Sequence, residues 1–133
     1  MKAVLLDTHV WAWSLTDDRR LSGSARALIV GAEAVFVSPI SFFEIGQKVR
    51  LGKWPEMAPF VERLPQLLLK QGGRTATLGA EICLSGATMD WPHRDPFDRL
   101  LAATAMHDPL PLISADPVFD TLAGRPGWVA RLW

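Results

Sequence analysis

Short apolar runs alternate with longer helix-like segments along this chain. The run at 3–6 is entirely apolar and ends abruptly at Asp7, a pattern typical of a strand buried on both faces of a sheet. A second run of this kind lies at 34–37. Three further short segments are predicted to be strands, at 74–78, 110–114 and 128–132.

Helices are predicted between these strands. Ser38 directly follows the second strand and has the properties of an N-cap, with Pro39 at the first helical position of a helix that runs to about residue 51. Ser24 is the predicted N-cap of the helix before that strand. In the segment 59–71 apolar residues recur at helical spacing, but we expect Pro65 to kink or split this helix. The other predicted helices are 11–15, 81–88, 96–107 and 118–122.

This alternation of strands and helices predicts the α/β class, with a mainly parallel sheet. The 133 residues are enough for one domain, 1–133, with a substantial core. The chain is 49% apolar and 21% charged, as is usual for a globular protein. Its 14 basic and 14 acidic residues cancel, so contacts with nucleic acid would have to come from local placement of Lys and Arg.

The single cysteine and the N-terminus exclude several other classes. Cys83 alone allows neither an internal disulfide nor a cysteine-based zinc cluster, and we predict that it is a small core residue. Asp7 and His9 interrupt the first apolar run before the hydrophobic region of a signal peptide could form. No segment has the roughly 20 apolar residues of a membrane span. We therefore expect a cytoplasmic protein without a membrane partner.

Acidic residues follow the predicted strands at comparable places. Asp7 stands directly after the first strand, Asp116 directly after the fourth, and Glu44 in the first two turns of the helix after the second. The carboxyl ends of parallel strands share one edge of the sheet, so these acids should face the same edge. Asp98 is early enough in its helix to project back over that edge, whereas Asp95 is better placed as an N-cap.

Crowded carboxylates repel one another unless protons or metal ions compensate for their charge. Each acid has a simpler explanation when it is taken alone, because Asp7 and Asp116 could cap helices and Glu44 suits a helix N-terminus. Their convergence favours a site for a hard cation such as Mg²⁺ or Mn²⁺. Such a site beside a groove would suit phosphodiester chemistry by a metal-activated water.

Four segments of the chain resemble the motifs of one known family. Leu5-Leu6-Asp7-Thr8-His9, Ser41-Phe42-Phe43-Glu44-Ile45, the stretch 93–105 and Ser114-Ala115-Asp116 look like the motifs of PIN-domain ribonucleases, most closely the VapC toxins of bacterial toxin–antitoxin pairs. The resemblance implies a five-stranded sheet of order 3-2-1-4-5 and Mg²⁺- or Mn²⁺-dependent endonuclease cleavage of RNA. It also implies a homodimer and inhibition by a cognate, VapB-like antitoxin.

The resemblance also assigns roles to single residues. Asp7, Glu44 and Asp98 would be the core acids of the metal site, with Asp116 as the fourth. Asp98 is preferred to Asp95 because it precedes the Leu-Leu-Ala-Ala-Thr-Ala run, where the family's acid stands. Six neighbouring side chains are further candidates for binding water, phosphate or substrate: Thr8, Ser41, His93, Arg94, Arg99 and Ser114.

Aromatic and basic side chains near this edge have both structural and functional explanations. Trp11 and Trp13 flank the Asp7 edge, and one of them could offer a base-stacking surface, although tryptophans are most often core residues. Lys48, Arg50 and Lys53 form the densest basic run, which the helix dipole alone would also favour. The three histidines lack metal-ligand spacing, and we expect structural roles for His9 and His107. His93-Arg94 is the exception, because it enters the helix that carries Asp98 and could meet a phosphate.

Other functions remain open at this point. Leu6-Asp7-Thr8-His9 resembles the opening motif of haloacid-dehalogenase-type phosphatases, but His9 stands where a second acid is needed. A response-regulator receiver would need an acid after the third strand, and the segment 74–79 has none. A PIN-like module could also bind RNA or protein without cleavage. If an antitoxin binds, we expect a docking surface around Phe42, Phe43, Leu51 and Trp54.

Overall fold

The five predicted strands form one parallel sheet in the computed structural model, which describes residues 3–133. The sheet order is β3-β2-β1-β4-β5, and every neighbouring pair is parallel, which confirms the expected fold class and strand order. The last three strands are shorter than predicted. The strands are β1 (Ala3–Leu6), β2 (Ala34–Val37), β3 (Arg74–Thr75), β4 (Leu112–Ile113) and β5 (Arg131–Leu132).

Six α-helices and two 3₁₀ helices connect the strands in the described part of the chain. The α-helices are α1 (Thr8–Thr16), α2 (Gly23–Gly31), α3 (Pro39–Arg50), α4 (Leu64–Lys70), α5 (Ala80–Thr88) and α6 (Pro96–His107). The 3₁₀ helices are Pro55–Arg63, before α4, and Pro117–Leu122, after β4. None of the helices described within residues 3–133 is both long enough and apolar enough to cross a membrane.

The central strand β1 is apolar because both of its faces are covered. Val4 and Leu6 pack into one core with Trp11, whereas Leu5 points to the opposite face and packs into a second core with Phe119. Alternate side chains of a strand point to opposite faces, and in a parallel sheet both faces are buried. The apolar run therefore predicted the correct strand for the correct physical reason.

The strand register places the ends of three strands side by side. Leu6, the last residue of β1, is paired with Val37 of β2 and with Ile113 of β4. The next residue of each strand, Asp7, Ser38 and Ser114, consequently lies at the same edge of the sheet. It is the edge at which the sequence predicts that Asp7, Glu44 and Asp116 converge.

Helix starts were predicted well where the cap directly follows a strand. The Ser38 side chain accepts a hydrogen bond from the Ile40 N–H, with Pro39 in the first turn of α3. The prediction that Ser24 caps α2 is wrong. Ser22 is the N-cap, because its side chain accepts from the Ala25 N–H at 3.0 Å while Ser24 already lies inside the helix.

The predicted kinked helix at 59–71 is two helices. The 3₁₀ helix Pro55–Arg63 contains Pro59, and α4 begins at Leu64 with Pro65 in its first turn. Proline is tolerated in a first turn because its missing N–H would have no partner inside the helix there. Pro65 therefore marks a helix start.

Helices α5 and α6 pack closely through a small residue. A Cβ atom on Gly86 would lie 3.1 Å from the carbonyl oxygen of Arg99 in α6. Ile82, one turn earlier, is buried on the same face of α5. The prediction that Cys83 is a core residue is wrong, because the Cys83 side chain is exposed.

Candidate active site

Asp7 is a buried carboxylate held by two hydrogen bonds. It is only 8% exposed and caps α1, with Oδ1 accepting from the His9 main-chain N–H at 3.0 Å. Its Oδ2 accepts from Oγ of Ser114 at 2.6 Å. Burial raises the pKa of the Asp7 carboxyl, and both hydrogen bonds oppose that rise because they favour the charged form.

Glu44 is buried and paired with a lysine one turn further along α3. It is 4% exposed, and its Oε2 accepts a hydrogen bond from the Lys48 ammonium group. The same ammonium nitrogen lies 5.8 Å from the ring centroid of Trp54 and 5.9 Å from that of Phe97. Lys48 therefore supplies a positive charge at Glu44, and its own position is supported by two aromatic rings.

Asp98 lies in the first turn of α6 and is paired with a histidine. Nε2 of His93 lies 2.7 Å from Oδ2 of Asp98, within hydrogen-bond distance. Burial raises the pKa of Asp98 to about 6, His93 opposes the rise, and the negative charges of Asp95 and Asp7 add to it. Asp95 is the N-cap of α6, as predicted, and accepts from two main-chain N–H groups of the first turn.

Asp116 is the most exposed of the four predicted acids. It caps the second 3₁₀ helix, with its side chain accepting from the Val118 N–H at 2.9 Å. Its own N–H donates to Oγ of Ser114 at 3.1 Å. Because Ser114 also donates to Asp7, one buried hydroxyl links the acids that follow β1 and β4.

All four predicted acids line a single groove of about 400 Å³ at the carboxyl edge of the sheet. Asp95 lines it as well, so five carboxylates face one lysine. Eleven residues form its walls: Asp7, His9, Val10, Trp13, Glu44, Lys48, Asp95, Asp98, Ala115, Asp116 and Pro117.

The groove has the donor chemistry of a hard-cation site, and three of its acids have separate hydrogen-bond partners. Among residues 3–133, no three carboxylate, imidazole or thiol groups lie close enough together to enclose a metal ion. Asp7 is held by Ser114, Glu44 by Lys48 and Asp98 by His93. The residues nevertheless fit Mg²⁺ or Mn²⁺. Carboxylate oxygens are the donors that these ions prefer, and a cation would favour ionised Asp7 and Asp98.

The three predicted substrate-binding hydroxyls are buried. Oγ1 of Thr8 and Oγ of Ser41 lie 2.7 Å apart, and this hydrogen bond ties α1 to α3. Thr8, Ser41 and Ser114 are at most 1% exposed. In this structure their visible contacts hold the elements that carry Asp7 and Glu44.

The two predicted arginines lie outside the groove. The Arg99 guanidinium donates to four main-chain carbonyls, those of Gly86, Met89, Trp91 and His93. Arg99 therefore anchors the loop between α5 and α6, and all of its visible contacts are structural. Arg94 is exposed and lines a different cavity, between α5 and α6.

The tryptophans near Asp7 differ from each other in exposure. Trp11 is completely buried, and its Nε1 donates to Oε1 of Gln71 at 2.9 Å, so it presents no surface for stacking. Trp13 lines the groove. Of the basic residues Lys48, Arg50 and Lys53, only Lys48 lines the groove.

Two contacts in this site were not predicted from the sequence. The Glu44–Lys48 pair could have been found, because residues four apart lie on the same face of a helix. The stack between His9 and Trp54 joins residues in separate elements. No local pattern indicates such a contact.

Comparison with known proteins agrees with this architecture. A model of the PIN domain family matches residues 4–125. The chain belongs to the PIN-domain family. This PIN domain is 30% identical over 119 residues to Ribonuclease VapC22 of Mycobacterium tuberculosis (strain ATCC 25618 / H37Rv), covering 87% of this chain and 88% of that relative. The resemblance to PIN-domain and VapC proteins is confirmed.

Solved structures of toxin–antitoxin complexes have the same fold as this PIN domain. VapBC2 from Rickettsia felis, bound to a DNA fragment from its promoter, gives a TM-score of 0.65 at 14% identity and covers 96% of each chain. VapBC-5 from Mycobacterium tuberculosis gives 0.61 at 19% identity, over 99% of this chain and 100% of that chain. At these identities the likeness shows the fold alone.

Proposed function

We propose that this PIN domain is a divalent-metal-dependent endoribonuclease. The observation that carries the proposal is the convergence of Asp7, Glu44, Asp98 and Asp116 on one groove at the carboxyl edge of the sheet. The similarity to Ribonuclease VapC22 supports RNA as the substrate class. Membership of the PIN family gives no support to the alternative of a haloacid-dehalogenase-like phosphatase.

Asp7, Glu44, Asp98 and Asp116 are the residues that would hold Mg²⁺ or Mn²⁺. Such an ion, when bound, would make a water molecule more acidic and stabilise negative charge on the leaving oxygen of the phosphodiester. We infer that the protein orients its acids for this role in advance, through the hydrogen bonds that Asp7 receives from Ser114 and from the His9 N–H.

Lys48 and His93 have complementary roles in this proposal. Each is paired with one acid. Lys48 donates to Glu44, and His93 lies within hydrogen-bond distance of Asp98. If the acids turn toward a cation, both side chains are released beside the groove. The Lys48 ammonium could then donate to a phosphate oxygen of the RNA, because it already lines the groove.

Cleavage of a fluorescently labelled single-stranded RNA in the presence of Mn²⁺ tests the proposal. We expect cleavage by the unmodified protein, and we expect EDTA, Asp7→Asn or Asp98→Asn to abolish it. Asp17→Asn is a matched control, since Asp17 is an exposed acid at the end of α1 and does not line the groove. Tight binding of intact RNA would instead favour a non-cleaving RNA-binding module.

The choice of Asp98 over Asp95 is tested by metal binding. Titration calorimetry with Mn²⁺ should show loss of affinity for Asp98→Asn and near-normal affinity for Asp95→Asn, because asparagine still caps a helix. Loss of metal in Asp95→Asn alone would make Asp95 the ligand.

We further propose that this PIN domain is the toxin of a toxin–antitoxin pair in the cytoplasm, a homodimer inhibited by a VapB-like protein. The fold similarity to chains of VapBC complexes supports such a partner. Part of the predicted docking surface is exposed, with Phe43 at 60% and Leu51 at 50%, whereas Trp54 is buried. Co-expression with the neighbouring reading frame and co-purification test the partner, and analytical ultracentrifugation tests the dimer.

A further inference from the structure

One wall of the acid groove is aromatic. His9 is exposed, lines the groove, and stacks on Trp54 with ring centroids 4.6 Å apart and planes inclined by 24°. Trp13, one turn further along α1, lies against the same imidazole at 6.0 Å and 60°. Trp54 is only 8% exposed, so it supports the imidazole from beneath. His9 therefore remains exposed at the groove although two indoles pack against its ring.

The His9 side chain packs in the fold through its ring alone. Its contribution to the start of α1 is the main-chain N–H that donates to Asp7, and any residue except proline would supply it. Among residues 3–133, the ring nitrogens of His9 make no hydrogen bond. An exposed aromatic ring that packs against other rings can also stack on a ligand with a flat face.

The position of the ring relates it directly to the proposed chemistry. His9 is two residues from Asp7, and Trp54 also contacts the Lys48 ammonium that pairs with Glu44. The aromatic wall and the acids are therefore parts of one groove.

Electrostatics alone would not hold RNA in this groove. Five carboxylates and one lysine line it, so a phosphate backbone would be repelled except where a metal ion compensates. Stacking of bases on aromatic side chains contributes binding free energy that does not depend on charge and tolerates any base. An aromatic wall beside an acidic site would add binding free energy that the charges do not supply.

We propose that the His9 imidazole, held in place by Trp54, is the stacking surface for an unpaired base of the RNA next to the cleaved phosphodiester bond. The inference rests on the proposed ribonuclease function and names the form of RNA that the site accepts. A base inside a duplex is already stacked on both faces, so the substrate must be single-stranded at this position.

Binding of a short 5′-fluorescein-labelled single-stranded RNA of mixed sequence, followed by fluorescence anisotropy, tests the proposal. The measurements use the Asp7→Asn background, which prevents cleavage and keeps a capping side chain. His9→Ala should weaken binding about tenfold. His9→Phe should restore it, because phenylalanine can stack but has no ring nitrogen. His107→Ala is the matched control, since His107 is an exposed histidine at the far end of α6.

Two further readouts separate stacking from other roles of His9. The dependence of log K on log salt should have the same slope in His9→Ala as in the parent, because stacking releases no counterions. RNAs with one abasic nucleotide, placed at each position in turn, should lose affinity at one position for the parent and at none for His9→Ala. Thermal melting of each variant checks that the fold is retained.

Equal affinity of His9→Ala and His107→Ala would overturn the inference. Binding by His9→Phe that is as weak as binding by His9→Ala would also overturn it, since the nitrogen and not the flat face would then matter. The ribonuclease proposal fails on a different result, the absence of cleavage by the unmodified protein with Mn²⁺. The two failures are therefore distinguishable.

Discussion

The hydroxyl of Ser114 donates a hydrogen bond to Oδ2 of Asp7 over 2.6 Å, although the two residues are 107 positions apart in the chain. They directly follow the neighbouring strands β4 and β1, whose ends are aligned by the pairing of Leu6 with Ile113. Ser114 also accepts from the N–H of Asp116. One buried serine therefore organises two of the four acids that we assign to the metal site.

Replacement of Ser114 should weaken metal binding without direct contact with the metal. Ser114→Ala removes the hydrogen bond that favours ionised Asp7, and burial then raises the pKa of Asp7 further. We expect the affinity for Mn²⁺ to fall about 10–100-fold, as is usual when a partner of a ligand is removed. Titration calorimetry measures it. Ser24→Ala, at an exposed serine in α2, should bind as the unmodified protein does, and equal affinity of both variants would contradict the role of Ser114.

The stability of the metal-free protein should fall as the pH rises through about 6. Folded Asp98 keeps its proton up to about pH 6, while an ordinary aspartate loses it near 3.8. The folded state therefore binds more protons in this window, and the resulting stabilisation is complete below about pH 3.8 and lost as the pH passes 6. Burial raises the pKa of Asp7 as well, so the ionisation of Asp7 also lowers the stability of the folded protein as the pH rises.

Urea unfolding at several pH values between about 4 and 7 measures this dependence. Asp98→Asn should flatten it, and saturating Mn²⁺ should reverse it, because metal binding needs the ionised carboxylates. The hydrogen bond from Arg20 lowers the pKa of Asp18 to about 2, so the titration of Asp18 changes the stability only below the pH range of this experiment. Asp17→Asn is the control. A free energy of unfolding that rises with pH in the metal-free protein would contradict the prediction.

Removal of Lys48 should destabilise the metal-free protein and leave the metal-bound form less affected. Lys48→Met keeps the length of the side chain but leaves the buried Glu44 without a compensating charge. We expect a loss of about 1–3 kcal/mol in the free energy of unfolding. Thermal unfolding with and without Mn²⁺ should then show a larger rise in melting temperature for Lys48→Met than for the parent. Lys53→Met, at an exposed lysine, should resemble the parent.

The sequence was sufficient for features that depend on neighbouring residues. The buried run before Asp7, the cap and proline at Ser38-Pro39 and the cap at Asp95 each rest on a local rule, and the structure contains all three. The alignment of the strand ends followed from parallel pairing, because the carboxyl ends of such strands share one edge. The convergence of the acids could therefore be predicted from the sequence.

Side-chain partners across the fold could not be predicted in this way. Arg99 stands beside Asp98 in the sequence and was a candidate for binding phosphate or substrate, but its guanidinium donates to carbonyls of α5 and of the loop before α6. The stack of His9 on Trp54 depends on how the segment after α3 folds over α1. The direction of such a side chain is set by tertiary packing, which no short motif encodes.

Arg99 offers a test that separates a structural arginine from one that binds substrate. Its guanidinium donates to one carbonyl of α5 and three of the loop before α6, so Arg99→Ala should reduce the free energy of unfolding by about 2–4 kcal/mol. Arg99→Lys should recover only part of this loss, because an ammonium group cannot reproduce the planar fork of donors. Arg94→Ala is the matched control at an exposed position and should unfold as the parent does. Urea unfolding and RNA anisotropy, measured on the same variants, distinguish the two roles. A stable Arg99→Lys protein with weakened RNA binding would return Arg99 to the substrate site.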